Sequence, residues 1–140
     1  MGWSSKPSAF IKTVEADLTK RQKDIVIDAL GGVVLQSPVD TGAFRASHRV
    51  SINQTDQSYS EAEKDKGGAS TISKGTSALS RLVPYSTVYI QTNSPYGTKI
   101  EYGNFTDKPS TPKTTGGYSK QAPQGVYSTT FNYIAQKYGG

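Results

Sequence analysis

Asp40, His48 and Glu101 are the side chains whose type and sequence context are best suited to chemistry. Asp40 opens an Asp-Thr-Gly triplet that ends at Gly42. A carboxylate on such a loop can act in peptide hydrolysis when a second copy faces it across a dimer axis, so that the two acids share one proton. That chemistry requires each loop to be tight, buried and supported by apolar segments.

The same triplet is typical of a turn between a helix and a strand. Ser37-Pro38 precedes it and ends a helix, because proline lacks a backbone N–H and disfavours the α region for the residue before it. Asp40 can then bond the backbone two residues on, and Gly42 can take a positive φ at little cost. No apolar-apolar-glycine segment follows downstream to support a catalytic loop. We therefore favour the turn, and a dimeric aspartic protease of the retroviral type stays as an alternative.

His48 and Glu101 are expected to have structural roles. His48 falls on the apolar face of a predicted strand and is the only histidine, so we expect it to be packed and hydrogen-bonded. Glu101 ends a short helix, where we expect it to bond backbone or a neighbouring subunit. The absence of cysteine excludes disulfides and thiol catalysis, and a single histidine argues against a conventional zinc site. We expect a protein that is not an enzyme and needs no metal or cofactor.

Length and composition indicate one domain with a thin core. The chain has 140 residues, of which 34% are hydrophobic, and its mean hydropathy is -0.56. It lacks an apolar run that could span a membrane, so we expect no membrane partner and a soluble protein made and kept in a cytoplasm. The net charge is +5, and residues 106–140 hold four lysines against one aspartate. These basic residues are clustered more sparsely than those of a typical nucleic-acid-binding protein. A small basic DNA-binding protein is therefore kept as a second alternative.

Periodicity predicts an α+β fold, in which a long N-terminal helix packs across a small, mostly antiparallel sheet. The helix covers about residues 8–36, where apolar residues recur every three or four positions. Its predicted apolar face consists of Phe10, Ile11, Val14, Leu18, Ile25, Ala29 and Val33. A strand and loop region follows over residues 41–92. Within it, residues 44–52 alternate between apolar and polar, and residues 87–91 are rich in β-branched and aromatic residues, so both predict strands.

The last third of the chain is expected to hold two helices separated by a loop. The first is a short helix at about residues 95–102, with Ser94 as its cap, Pro95 in its first position and Gly103 closing it. Prolines, glycines and hydroxyl side chains predict an extended loop over residues 106–120. The final helix is predicted at about residues 123–138.

Three separated segments carry short motifs in a fixed order. The segment 37–47 matches P-x-D-T-G-x-(L/F)-R-x-S, and the segment 90–103 matches a strand and an asparagine followed by P-Y-A-x-x-(I/L)-E-x-G, with Gly97 in place of the alanine. The segment 119–125 matches S-x-Q-A-P-x-G. Among the matching residues, those we single out as structural are Pro38, Asp40, Thr41, Gly42, Pro95, Glu101, Gly103, Gln121, Pro123 and Gly125. In this order the segments resemble the tail-completion, or head–tail joining, proteins of long-tailed bacteriophages.

The resemblance implies a structural protein of the virion. Proteins of that family are small α+β protomers that form a ring, usually of six copies, at the neck between capsid and tail. The expected partners are other copies of the chain, the head-completion or stopper protein, the tail terminator, and DNA that passes without sequence-specific contact. No catalytic residues are carried over from the family. The segment 106–118 separates two motifs that lie closer together in the family, so its role is not inherited.

Exposed tyrosines and lysines are the candidates for subunit or channel contacts. Eight of the nine tyrosines lie at or after residue 85. Tyrosine suits partly wet protein surfaces because it combines a large contact area with a polar tip. The candidates are Tyr96, Tyr102, Tyr118, Lys108, Lys113 and Lys120.

Overall fold

A computed structural model describes residues 7–105 and 110–139, with side chains from residue 15 onward. Lys108 lies outside the described residues. The helices are α1 (Pro7–Gln36), α2 (Ala69–Ala78), α3 (Gly97–Tyr102) and α4 (Tyr127–Tyr138). The strands are β1 (His48–Ile52), β2 (Val88–Thr92), β3 (Thr114–Thr115) and β4 (Tyr118–Ser119). Single 3-10 turns lie at Arg45–Ser47 and Leu79–Arg81.

The α+β prediction, with its long N-terminal helix, is confirmed. β1 and β2 pair antiparallel, with His48 opposite Thr92 and Ile52 opposite Val88. β3 and β4 form a second antiparallel pair. The helix α1 contacts β1, α2 and α4, so it joins the sheet to both of the other long helices. It ends at Gln36, directly before the Ser37-Pro38 pair, as the sequence predicts.

The core forms around the second half of α1. Leu30, Val34 and Val126 are fully buried, and the same cluster includes the buried residues Val33, Ile100 and Ala122. Burying an aliphatic side chain of this size contributes about 1.5–3 kcal/mol. The cluster draws on α1, α3 and the segment before α4, so these three parts of the chain depend on one another for stability.

The predicted apolar face of α1 is partly wrong. Leu18 is 46% exposed, whereas Val26 and Leu30 are buried. The cause is visible in the sequence: the runs 25–27 and 33–35 contain three consecutive apolar residues each, so they fit more than one helical face. Contacts with α2 and α4 decide which face is covered, and spacing alone does not reveal it.

The helix α2 forms where the sequence offers poor helix formers. Gly75 faces Leu30 and Val50, and a Cβ atom at this position would lie 2.3 Å from the Leu30 Cδ2 atom. The missing side chain therefore allows α2 to approach α1 and β1 closely. Asp65 holds the start of α2, because its carboxylate accepts hydrogen bonds from the N–H groups of Gly68 and Thr71. Tertiary contact and this cap override the weak helix propensity.

Three predicted boundaries are corrected. The short helix α3 begins at Gly97 rather than at Pro95, and its cap position is occupied by Tyr96 rather than by Ser94. The strand predicted at residues 44–52 begins at His48, because the backbone coils through a 3-10 turn in which the Ser47 N–H bonds the Phe44 carbonyl. The final helix begins at Tyr127 rather than near residue 123. Gly125 precedes it with a φ of 84°, a left-handed conformation that interrupts a helix.

The segment predicted as an extended loop over residues 106–120 is a short hairpin over its described part. The Lys120 N–H bonds the Lys113 carbonyl, and the Phe105 N–H bonds the Gly117 carbonyl. Gly117 is buried, and a Cβ atom there would lie 2.1 Å from the Gly103 carbonyl oxygen. The hairpin is therefore fitted against the end of α3, and we name residues 110–119 the arm.

Candidate functional site

The corner after α1 is held by a side chain from the third motif. Gln121 donates an Nε2 hydrogen to the Val39 carbonyl at 3.0 Å, and its Oε1 atom accepts the Val39 N–H at 2.9 Å. This pair of bonds imitates the way in which one strand pairs with another. Pro38 is half-buried beside Val39, and Pro123 is exposed two residues after Gln121. The first and third motifs are thus joined, although 82 positions of sequence separate the bonded residues.

Asp40 is not the turn residue that the sequence predicts. Its side chain is 79% exposed, and its Oδ1 atom lies 3.4 Å from the Lys113 ammonium of the arm. The bond two residues on is made by Thr41, whose Oγ1 atom accepts the Ala43 N–H at 3.3 Å. Gly42 does take the expected positive φ, at 94°. An exposed carboxylate beside a lysine differs from the buried loop that the protease hypothesis requires.

Arg45, which the sequence analysis left without a role, connects the corner to the end of α1. Its guanidinium donates to the carbonyl oxygens of Leu35 at 3.1 Å, Ser37 at 2.9 Å and Lys66 at 2.8 Å. The first two carbonyls lie at the end of α1, where helical partners run out. Arg45 therefore supplies a positive cap at the negative end of the helix dipole. The sequence signal for this role was the match of Arg45 to the arginine of the first motif.

His48 is buried between α1 and α4, as expected for a structural histidine. Its side chain bonds Ser37 Oγ through Nε2 at 2.6 Å and Tyr127 Oη through Nδ1 at 2.7 Å. Ser37 donates its one hydroxyl hydrogen to the Val33 carbonyl, so His48 Nε2 must be the donor and Nδ1 the acceptor. Burial, followed by the charges of Arg49 and Arg45, lowers the pKa of His48 to about 3. The ring is neutral and serves as a polar connector.

Glu101 caps the start of α4 from another helix. Its Oε1 atom accepts the N–H groups of Val126 at 2.9 Å and Tyr127 at 2.7 Å, and its Oε2 atom accepts the Ser128 N–H at 3.1 Å. Burial raises the pKa of Glu101, but these hydrogen bonds outweigh it and the net pKa lies below the ordinary value. The expected hydrogen bond to backbone is confirmed. The second motif is thereby joined to the end of the third.

Gly103 and Gly125 allow these contacts. Gly103 closes α3 with a φ of 69°, as predicted, and a Cβ atom there would overlap the Tyr118 ring. At Gly125 a Cβ atom would lie 2.7 Å from the Glu101 carbonyl oxygen. At the other end of α3, Pro95 is exposed and Ser94 Oγ accepts the Tyr96 N–H at 3.2 Å. The motif glycines therefore correspond to close approaches between segments.

A groove of about 620 Å³ opens between the corner, α3 and the arm. Its apolar lining includes Val39, Phe44, Tyr96, Ile100 and Phe105. Its charged lining consists of Asp40, Glu61, Lys99 and Lys113. The residues come from distant parts of the sequence, and no single stretch indicated a groove. We name it the motif groove.

The interface candidates fall into three situations. Tyr96 and Lys113 line the motif groove, whereas Tyr102 and Lys120 are exposed. Tyr118 is half-buried, with its ring against Gly103, so part of its surface serves the fold. The structure brings the motif segments together, and it brings Tyr96 and Lys113 to the same groove.

Comparison of the chain with protein-family models, with curated proteins and with solved structures finds no match. Within residues 7–105 and 110–139, no helix is long and apolar enough to cross a membrane. Over the same residues, there is no group of three or more acidic or histidine side chains that could hold a metal ion. The described site therefore consists of the paired hydrogen bonds between Gln121 and Val39, the cap that Glu101 provides for α4, and the open motif groove.

Proposed function

We propose that the chain is a structural protein of a phage neck, which completes the tail and joins it to the head. Copies of the chain form a ring, six in the family it resembles, between a head-completion or stopper protein and a tail terminator. DNA passes through the ring without sequence-specific contact. The chain acts by burying surface against its neighbours in the virion and has no catalytic role.

The contacts between the three motif segments carry this proposal. Gln121 clamps Val39, and Glu101 caps the turn that leads from Gly125 into α4. Residues that match by chance would have no reason to bond one another across about 80 and 25 positions of sequence. Their mutual contacts support the interpretation of the three motifs as one structural unit, which is what the resemblance implies.

The exposed aromatic side chains also favour a protein that acts by binding other proteins. Tyr85, Tyr102 and Phe131 are each at least two-thirds exposed. Aromatic side chains are enriched at protein interfaces because they combine large contact area with low conformational freedom. His48 is neutral, buried and fully engaged, and Ser37 uses its hydroxyl in the same network, so neither is available to a substrate.

Deleting the gene from a phage that carries it tests the proposal. We expect filled heads and complete tails that remain unjoined in electron micrographs, and joining should return when the purified protein is added. Infectious particles at normal yield without the gene would contradict it.

The DNA-binding alternative needs its own measurement. With a net charge of +5, the purified chain should bind duplex DNA weakly, and added salt should abolish the binding. Tight binding at physiological salt with discrimination between sequences would favour the DNA-binding alternative instead.

A further inference from the structure

A second apolar surface lies far from the motif groove. The turn before β2 exposes 56% of Val83 and 77% of Tyr85, with Pro84 between them. Tyr85 has a φ of 66°, a left-handed conformation that a bulky side chain rarely adopts. We name residues 83–85 the tyrosine tip.

The tyrosine tip is held in place by its surroundings. Ser86 Oγ donates to the Val83 carbonyl at 2.8 Å, and Gln22 of α1 donates to the Ser86 carbonyl at 2.8 Å. The Thr87 N–H bonds the Asn53 side chain at 2.9 Å. A backbone strain of this kind costs about 1–3 kcal/mol and persists only where the surrounding structure determines it. The fold therefore maintains a costly conformation whose visible result is an exposed tyrosine.

The tip and the motif groove lie at different places along α1. The tip is bonded to Gln22, whereas the groove begins at Pro38, just past the last residue of the helix. Fourteen helical residues separate Gln22 from the end of α1 at Gln36, which is about 21 Å at the standard rise per residue. The tip of one copy therefore cannot fill its own groove.

One pair of opposite charges, one on each surface, is complementary. Glu61 lines the groove, and Arg81 lies two residues before the tip; both side chains are exposed. Among the described residues, neither Glu61 nor Arg81 has an ion pair or a side-chain hydrogen bond. A carboxylate at the groove and a guanidinium beside the tip would pair if the tip of another copy entered the groove.

We propose that the tyrosine tip of one copy binds in the motif groove of the next copy, with Tyr85 in the apolar groove and Arg81 against Glu61. This inference rests on the proposed ring. A closed ring of more than two copies requires two different surfaces on each protomer, one complementary to the other. The chain presents an exposed apolar turn and an apolar groove, and a groove of about 620 Å³ has the size of pockets that hold several ring-sized groups.

Disulfide cross-linking tests the contact directly, because the chain contains no cysteine. Val83→Cys marks the tip and Lys113→Cys marks the rim of the groove; Lys113 makes only an exposed ion pair, so its loss leaves the fold intact. Under mild oxidation at high protein concentration, the mixture of the two variants should give a dimer that neither gives alone. One chain with both cysteines should give a ladder that stops at the number of copies in the ring. No mixed dimer, or a Val83→Cys dimer that forms equally well alone, would overturn the inference.

Charge reversal provides the matched controls. Glu61→Lys and Arg81→Glu should each reduce the mixed dimer several-fold, and the chain that carries both changes should recover it. Tyr85→Ala should also reduce it, whereas Tyr133→Ala, which removes an exposed tyrosine of α4, should not. Lack of recovery in the double reversal would refute the Glu61–Arg81 pairing.

The cross-linking and phage experiments test the two hypotheses independently. If heads and tails join without the gene while the ladder still forms, the neck function is wrong and the contact between copies stands. If the gene is needed for joining but the ladder is absent, the neck function stands and this contact is wrong.

Discussion

Replacing Glu101 by alanine should loosen α4 from the rest of the protein. The change removes the acceptor for three backbone N–H groups at the start of the helix. Hydrogen bonds to charged groups contribute about 1.5–3 kcal/mol each, but water can reach this partly exposed site and replace part of that. We expect a loss of about 2–3 kcal/mol in the free energy of unfolding, or about 10 °C in melting temperature for a chain of this length.

Thermal unfolding followed by circular dichroism at pH 7 measures this loss. Glu61→Ala is the matched control, because the exposed Glu61 carboxylate caps no helix among the described residues and its removal should change stability by less than about 0.5 kcal/mol. Glu101→Gln should lose about half as much as Glu101→Ala, since the amide keeps one acceptor oxygen. A Glu101→Ala protein that melts within about 2 °C of the original chain would refute the capping role.

The pH dependence gives a second check on the same residue. Because the folded pKa of Glu101 is lowered, its contribution is present above the ordinary carboxyl pKa and is lost as the pH falls through the folded pKa. The gap in stability between the original chain and Glu101→Gln should therefore close in acid. His48 titrates equally in both proteins, so its effect cancels in this difference. A gap that stays constant down to pH 3 would show that the charge contributes nothing.

Three further predictions concern the other contacts. Gln121→Ala should cost about 1–2 kcal/mol, measured by urea unfolding, because both Val39 backbone bonds are lost; Gln124→Ala, whose side chain makes no described hydrogen bond, should be neutral. For His48, the pKa is about 6.5 when unfolded and about 3 when folded, so stability should fall by about 1.4 kcal/mol for each pH unit below 6.5. His48→Gln should flatten that slope, and an unchanged slope would contradict the assignment. Gly75→Ala should destabilise by about 1–3 kcal/mol, because the new methyl would overlap Leu30; a neutral result would show that α2 can shift away.

Local chemistry made parts of this fold predictable. Proline at position 38 ends α1 because it cannot supply the next backbone hydrogen bond. Gly103 closes α3 because its φ of 69° is cheap only for glycine. His48 was expected in a packed, hydrogen-bonded position because it is a lone histidine on an apolar strand face. Each of these conclusions depends on a residue and its immediate neighbours.

Features whose local pattern fits two conformations, or that depend on distant contacts, could not be predicted. Residues 44–47 alternate like a strand, yet bonds from the Ala46 N–H to the Gly42 carbonyl and from Ser47 to Phe44 coil them. Asp40 looked like the turn residue, but the turn uses Thr41, while the Asp40 carboxylate is exposed and lies 3.4 Å from Lys113 of the arm. The motif groove exists only once α3 and the arm have docked on the corner, which no local pattern encodes.

The hydrogen bond between Gln36 of α1 and Thr130 of α4 affects the order in which the chain folds. The Gln36 side chain donates to Thr130 Oγ1 at 3.1 Å across 94 positions of sequence. The core residues Ala122 and Val126 also lie near the end of the chain, so they are among the last core residues to be synthesised. Contacts that close long loops slow folding, because the chain loses entropy before it gains their stabilisation. During synthesis the part of the α1 apolar face that α4 covers must therefore stay exposed until α4 has been made. A released chain that ends before residue 122 should bind chaperones and resist folding, whereas a released chain that runs through Tyr138 should not.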